Sequence, residues 1–400
     1  MEALLEKVQN LREKYVHENP GTSEDDECDY IKAKCEQLIR SELSAIYGAN
    51  FEASKSEVLY RAGQLLNQSN RYEPLAAKLL EKSLKLDPTQ SQAWFELGSA
   101  ESKNGDIEYA VVCFEKSLQL QKSADAMASL AIALRASASK SDNVGVRKTL
   151  REKALQLAKS AVELDGSLGL AHSALATGYL VEFFSTAQSN METLADACNS
   201  YKNALECGDQ KRNAELFANF ATALRYQEDF VGAVEQMRNA RRHDPRDAID
   251  SSRRLRALCE YLEKFADAVE KKGKLKAKRL VSMIDSLPAS SSHATELHVK
   301  VLATVNHEEI VPLTLAVCDS TGECFGMTVY NCSATFGFVI GDTLSLHDPD
   351  WHVLTDFHIG NRHVEKLRWC RVLSPRHLRR NGVPVASSAL APATLRIIRN

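Results

Sequence analysis

Residues 91–121, SQAWFELGSAESKNGDIEYAVVCFEKSLQLQ, restrict what this chain can fold into more than any other stretch. Trp94, Leu97 and Gly98 precede a break at Asn104-Gly105-Asp106, and Ala110, Phe114 and Ser117 follow it. Large residues meet small ones at spacings of three and four, which suits two short helices packed closely across a turn. One such pair cannot bury its own apolar face, so stacked neighbours are expected on both sides.

The neighbours are present. Tyr60, Ala76, Leu80 and Ser83 each stand 34 residues before Trp94, Ala110, Phe114 and Ser117, and that unit stops at Asp87-Pro88, where proline cannot continue a helix. A third unit has a first helix near 124–137, an insertion at 138–148, and a second helix carrying Ala154, Ala158 and Ala161 that ends at Asp165-Gly166. The fourth carries His172, Leu175, Ala176 and Tyr179, then a polar insertion, then Ala197, Tyr201 and Ala204. The fifth has Phe217, Ala221 and Leu224, followed by Ala233, Met237, Ala240 and Pro245. A 34-residue period of this kind predicts a tetratricopeptide array over 54–246, an all-α superhelix whose concave face is a peptide groove. Residues 1–53 are expected to cap it. Leu4, Leu5, Val8, Leu11 and Tyr15 share one helical side, 18–27 read as an acidic loop, and Ile31, Cys35, Leu38 and Ile46 stripe a helix over 28–48. Residues 247–287 read as a degenerate repeat or capping pair.

At Pro288 the composition changes, and 288–295 (PASSSHAT) form a linker. Beyond it the apolar period becomes two: Leu297, Val299, Val301; then Val311, Leu313, Leu315, Val317; then Phe325, Met327, Val329. Asp319-Ser320-Thr321-Gly322 reads as a hairpin turn, 333–339 as a short helix or irregular stretch, 341–346 and 364–373 as fourth and fifth strands, and Asn381-Gly382 as a final hairpin. Three strands, a connection and two more strands fit a small all-β OB-fold barrel over 296–385, with 386–400 as a tail. The fold class is thus α + β and multidomain.

Composition excludes several alternatives. A net charge of −3 does not suit a general nucleic-acid coat. No apolar run is long enough for a transmembrane helix, and no signal-peptide apolar region opens the chain, so no membrane association is expected. The ten cysteines form no CxxC pair and read as reduced thiols of a cytosolic or nuclear protein. No GxxxxGK[ST], GxGxxG or GxSxG motif occurs, which leaves nucleotide-binding and hydrolase functions unsupported. His347, His352, His358 and His363, with Asp348 and Asp350, lack metal-ligand spacing, so neither metal nor cofactor is expected.

Two features invite binding. Lys271, Lys272, Lys274, Lys276, Lys278 and Arg279 put six cations in nine residues. On an expected helix Lys272, Lys276 and Arg279 share one side, and Lys271, Lys274 and Lys278 another. Such a segment attracts polyanions by counterion release, although an exposed linker helix or a nuclear-import signal has the same composition. In the barrel half, Phe325, Tyr330, Trp351 and Trp369 are available for base stacking, and core packing explains each equally well.

The two halves together resemble the Strap, or tetratricopeptide repeat protein 5, family. The stretches that carry the resemblance are KKGKLKAKRLVSMIDSL (271–287), VPLTLAVCDSTGECFGMTVYN (311–331) and GFVIGDTLSLHDP (337–349). The resemblance implies a non-enzymatic adaptor of cytoplasm and nucleus with two activities. In the nucleus it would scaffold a histone acetyltransferase coactivator in the DNA-damage and heat-stress response, supporting p53-type transcription. In the cytosol it would recognise the N-terminal peptide of nascent tubulin at the ribosome and trigger decay of the translating tubulin mRNA. That peptide runs Met, Arg, acid, so its reader needs a base and acids. By resemblance Arg135 takes the basic role and Glu215 an acidic one. The family's second acid falls at Ile249 here, with Asp247 and Asp250 beside it. The segment Lys272, Lys274, Lys276, Lys278 and Arg279 would meet ribosomal RNA, most directly through Lys276 and Lys278. The alternatives are a generic co-chaperone, for which the first two units lack a Lys/Arg clamp, and an OB protein that binds chromatin or nucleic acid.

Overall fold

Leu4 and Val8 of helix α1 (Glu2–Glu18) bury against Ile31 and Cys35 of α2 (Glu24–Leu38), and the same cluster takes in Val58, Ala62 and Leu65 of α3 (Lys55–Leu66). The opening helices therefore share a core with the first repeat. The computed structural model describes residues 2–19, 22, 24–43, 55–186, 188, 190–288, 296–308, 312–359 and 362–391. Ile46, Val311, 289–295 of the expected linker and 392–400 of the tail lie outside them. One expectation fails here: the acidic stretch is not a loop through residue 27. Glu24, Asp25, Asp26 and Glu27 form the first turn of α2, where carboxylates complement the helix dipole.

The repeats follow as helical hairpins: α3 with α4 (Pro74–Leu86), α5 (Ser91–Asn104) with α6 (Ile107–Leu120), and α7 (Ala124–Lys140) with α8 (Val144–Leu164). Gly105 ends α5 in the left-handed region at φ 82, and the Asp106 carboxylate caps α6 by accepting from the Tyr109 amide at 3.0 Å. A side chain at Gly98 would meet the Phe114 ring at 2.8 Å, so the hairpin depends on that glycine for its close approach. The insertion expected at 138–148 is not a loop. It lengthens α7 and α8 to 17 and 21 residues and leaves three residues between them, which spares backbone polar groups from going unpaired.

Next come α9 (Gly169–Ser185), α10 (Met191–Glu206), α11 (Ala214–Gln227), α12 (Phe230–His243) and α13 (Ser251–Glu270). A short 3₁₀ turn at Lys272–Lys274 leads to α14 (Ala277–Ile284). Two compact units result. The first is Met1–Tyr179 with Asp196–Asn213, and the second is Leu180–Ala195 with Ala214–Asn400.

The second unit holds an eight-stranded sheet in the order β5-β6-β3-β2-β1-β4-β7-β8. The strands are β1 (Glu296–Val305), β2 (Leu313–Cys318), β3 (Cys324–Val329), β4 (Thr343–His347), β5 (Asp350–Ile359), β6 (Arg362–Val372), β7 (Leu378–Arg380) and β8 (Val383–Pro384). The β1–β2–β3 meander, β4 beside β1, and β6 parallel to β3 give the OB-fold connectivity. Val299, Val301, Leu315, Val317, Phe325, Met327 and Val329 point into the barrel core. Asn381 and Gly382, both at positive φ, turn β7 into β8. Of the four grouped histidines, His347 ends β4, and His352, His358 and His363 lie on the β5–β6 hairpin.

Burial of thiols gives these cores a pH limit. It pushes Cys35 in the first unit to about 11, and Cys332 and Cys370 in the second to about 12. The unfolded chain ionises these groups near their ordinary pKa of 9, while the folded chain keeps them protonated. Stability is therefore fully present below pH 9 and is lost as pH rises toward 11–12. Each thiol contributes about 1.4 kcal/mol per pH unit in that window. A melting temperature that falls steeply between about pH 9 and 11, and is flat from about 7 to 8.5, is the expected record. A flat profile to about pH 11 would contradict it.

Candidate functional site

Arg135 lies on α7 in the first unit, between the buried positions Leu134 and Ala138. Its Nη1 donates to the Ala174 carbonyl of α9 at 3.0 Å. Tyr201 stands near it, with its hydroxyl 3.2 Å from the Thr177 hydroxyl. The residue is half-buried, and desolvation of the guanidinium pulls its pKa down to about 10, so it is still a cation at neutral pH. Among the described residues no carboxylate lies within ion-pair distance of it. A partly desolvated cation that holds one carbonyl and no counter-ion is poised to take an anion.

The candidate acids differ. Glu215 is exposed in the first turn of α11, in the second unit, where the helix dipole alone favours a carboxylate. Asp247 is engaged locally: its Oδ1 accepts from the Ser252 amide at 2.7 Å and the Ser251 hydroxyl at 2.9 Å. The Ser252 amide bond, more than any other contact, holds its carboxyl below the usual range. Asp250 pairs with Arg253, which also reaches Glu308. Both aspartates sit at φ 57 in the turn that starts α13, and this local work accounts for them without a ligand.

The basic segment is not one helix. Lys272, Gly273 and Lys274 take φ of 48, 62 and 59, and Leu275 and Lys276 are extended before α14 begins. The expected two-sided arrangement on a helix is thus replaced by a turn: α13 ends at Glu270, and the three residues after its C-cap Lys271 are left-handed. Lys271 pairs with Asp267. Lys272, Lys274, Lys276, Lys278 and Arg279 are exposed and have no ion-pair partner among the described residues. The turn is held by its apolar neighbours: Leu275, Leu280, Met283 and Ile284 pack on Leu302, Ala316 and Cys318. A Cβ at Gly273 would lie 2.5 Å from the Leu302 carbonyl oxygen of β1. Gly273→Val should therefore lift the turn from the barrel. Amide exchange over 275–284 is expected to accelerate more than about tenfold, equivalent to roughly 1.4 kcal/mol, while β1–β3 stay protected. Unchanged exchange in 275–284 would contradict this packing.

The barrel's outer face is also occupied. OB folds bind strands on the face of their second and third strands. Here Thr314, Ala316, Cys318, Gly326 and Thr328 point outward from β2 and β3. The Tyr261 hydroxyl of α13 meets the Thr314 hydroxyl at 3.1 Å, and a Cβ at Gly326 would lie 2.3 Å from the Phe265 ring. Glu228, in the turn between α11 and α12, closes the rest. Its Oε1 accepts from the Thr328 hydroxyl at 2.6 Å and the Tyr330 hydroxyl at 2.9 Å, and its Oε2 from the Trp369 indole at 2.7 Å. Arg371 of β6 donates to the Tyr226 carbonyl at 2.7 Å and lies over the Tyr330 ring. Phe325, Tyr330 and Trp369 are 1–2% exposed. Of the four candidate stacking aromatics, Trp351 alone reaches the surface, with Arg368 3.8 Å above its ring. The nucleic-acid reading of this barrel face loses its platform.

His352 stacks on Trp369 and lies 3.2 Å from Asp350, and His363 is 2.8 Å from Asp356. Among the described residues no three His, Cys, Asp or Glu side chains converge as metal ligands.

Comparison with known proteins agrees with this architecture. Residues 277–394 match the model of the tetratricopeptide repeat protein 5 OB fold domain, and 79–111 match a tetratricopeptide repeat model. Tetratricopeptide repeat protein 5 of Homo sapiens is 28% identical over 432 residues, covering 99% of this chain and 95% of that protein. The Mus musculus protein of the same name is 29% identical over 435 residues with the same coverage. Among solved structures, TTC0263, a thermophilic TPR protein of Thermus thermophilus, is 20% identical, with a TM-score of 0.41 over 51% of this chain and 98% of that one.

Proposed function

Because the chain belongs to the tetratricopeptide repeat protein 5 family, we propose that this peptide-binding adaptor reads the Met-Arg-acid N-terminus of nascent tubulin on the cytosolic ribosome. The acidic third residue of that peptide pairs with Arg135, and the basic turn docks onto ribosomal RNA. The observation that supports this reading most is Arg135 itself, half-buried with one carbonyl partner and no carboxylate among the described residues. A partly desolvated cation without a counter-ion costs stability, and a peptide carboxylate offsets that cost on binding. Glu215 is the acid proposed for the peptide arginine: Asp247 and Asp250 are engaged in their own turn, whereas Glu215 has no ion pair or side-chain hydrogen bond among the described residues.

The test is a binding titration of a labelled Met-Arg-Glu peptide and its Met-Arg-Gln counterpart against wild type and Arg135→Ala. Losing one member of a desolvated charge pair costs about 2–3 kcal/mol, or roughly 30- to 150-fold in affinity. Wild type should discriminate glutamate from glutamine by that factor, and Arg135→Ala should bind both peptides equally weakly. Equal affinity of wild type and variant for the glutamate peptide would remove Arg135 from the site.

A further inference from the structure

Two thiols face each other at the end of the β2–β3 hairpin. Cys318 closes β2, Cys324 opens β3, and the register sets them directly opposite. Among the described strand partners they are the one cysteine pair so placed. The turn between them fixes their geometry. The Gly322 amide donates to the Asp319 carbonyl at 3.1 Å, with Gly322 at φ 83, and the Asp319 amide donates to the Glu323 carbonyl at 3.1 Å. Asp319 and Glu323 therefore form a hydrogen-bonded pair, and the next pair along, Cys318 with Cys324, is a non-hydrogen-bonded one. Such pairs bring their α-carbons to about 4.5 Å, with the side chains at their closest. A disulfide spans α-carbons about 4.4–6.8 Å apart, so this backbone can close one without parting the strands.

The surroundings supply a way in. Cys318 is buried, whereas Cys324 is partly exposed and donates from Sγ to the Gly322 carbonyl at 3.7 Å. An incoming sulfur reaches Cys324 first. The Lys272 ammonium near Cys324 favours the thiolate there and works against burial, which raises both thiols, Cys318 to about 11. The neighbouring Cys324 thiol adds to the rise at Cys318, as two sulfurs close together require. Both side chains also belong to the cluster that seats Leu275, Leu280, Met283 and Ile284, so they form part of the floor beneath the basic turn and α14.

We propose that Cys318 and Cys324 form a redox-active dithiol, oxidised to an intramolecular disulfide by exchange with a small-molecule disulfide of the glutathione class. The Cys324 thiolate attacks one sulfur of that disulfide, forming a mixed disulfide and expelling one thiolate, which takes up a proton in place of the one Cys324 released. The Cys318 thiolate then attacks the Cys324 Sγ and expels the second thiolate, which is protonated in the same way. Two protein thiols are oxidised and one small-molecule disulfide is reduced to two thiols, with no other reactant. Only thiolates react and burial disfavours them, so exchange is slow at neutral pH and speeds as pH rises. The site depends on neither Arg135 nor the RNA contact.

The full chain is equilibrated with mixtures of reduced and oxidised glutathione, trapped with N-ethylmaleimide in denaturant, and cleaved after glutamate. Cleavage after Glu323 separates Cys318 from Cys324, so the two peptides stay joined only through the disulfide. Wild type should yield the joined peptides in the oxidising mixture and lose them in the reducing one. Cys318→Ser should stop at a mixed disulfide on Cys324, and Cys324→Ser should take up no glutathione at Cys318. Amide exchange over 275–284 should differ between reduced and oxidised wild type by at least about threefold, and should be the same in Cys324→Ser under both treatments. Wild type that carries glutathione on Cys324 without joined peptides would overturn the proposal, since the two thiols would then fail to meet. Wild type that stays fully reduced in the oxidising mixture would overturn it too. Equal exchange in the two forms would remove the link to the basic turn.

Discussion

Glu228→Ala is expected to destabilise the C-terminal unit by about 3–5 kcal/mol, at the upper end of what removing one side chain does. The carboxylate accepts from Thr328, Tyr330 and Trp369 at 2.6–2.9 Å, and all three donors are buried. Truncation leaves those donors without an acceptor at about 1–3 kcal/mol each, partly relieved where water enters. Glu228→Gln should cost less, about 1–2 kcal/mol. The amide can turn its oxygen to the Trp369 N–H, which can only donate, and its NH₂ to the two hydroxyls, which can rotate to accept. Urea unfolding followed by tryptophan fluorescence measures this, since Trp351 and Trp369 both belong to that unit. Equal midpoints for wild type, alanine and glutamine variants would show that the barrel does not depend on this carboxylate. The ranking also separates hydrogen bonding from charge. If charge alone mattered, glutamine would be as costly as alanine.

Glu228 leaves no local trace in the sequence, unlike the repeats and the strands. The repeats were legible because each contact in them is local: Trp94, Ala110 and Phe114 announce their packing within 21 positions. The alternation of Leu313, Leu315 and Val317 announced β2 in the same way. Glu228 sits between Gln227 and Asp229 in what looks like a polar turn, and its partners lie 100–141 residues away. A signal for the covered barrel face was nonetheless present. The outward positions of β2 and β3 are Thr314, Ala316, Cys318, Gly326 and Thr328, which carry no charge and little bulk. A strand without charge on either phase is buried on both faces. Strand β5 failed in the opposite sense: as an edge strand with Trp351, Val353 and four of its ten side chains acidic or histidine, it never alternates cleanly. At the candidate site, the residue types were readable and the conformations were not. Lys-Gly-Lys reads as a helical stretch by composition, but three successive positive φ values make it a turn. Arg135 is indistinguishable in sequence from a solvated repeat arginine, because its burial depends on α9 and α10, which arrive later in the chain.

That turn carries the second large effect. Reversing Lys274, Lys276 and Lys278 to glutamate changes five unpaired cations into two cations and three anions. Five phosphate contacts on single-stranded RNA imply a salt slope of about −3.5, at roughly −0.7 per contact, and the reversal should bring it near zero. At about 100 mM salt the affinity for a ribosomal RNA fragment, or for ribosomes by co-sedimentation, should fall at least about 100-fold. The fold should be untouched, since all three lysines are exposed and the packed side of α14 is Leu280, Met283 and Ile284. Gly273→Val supplies the complementary perturbation. It keeps every charge but displaces the turn from β1, so it should weaken binding while leaving the salt slope nearly intact. The pair of variants therefore separates the number of cations from their placement. If charge reversal leaves both affinity and slope unchanged, the basic turn is a solvated surface and takes no part in binding RNA. If Gly273→Val binds like wild type, the cations act as a flexible cluster, and their seating on the barrel has no part in recognition.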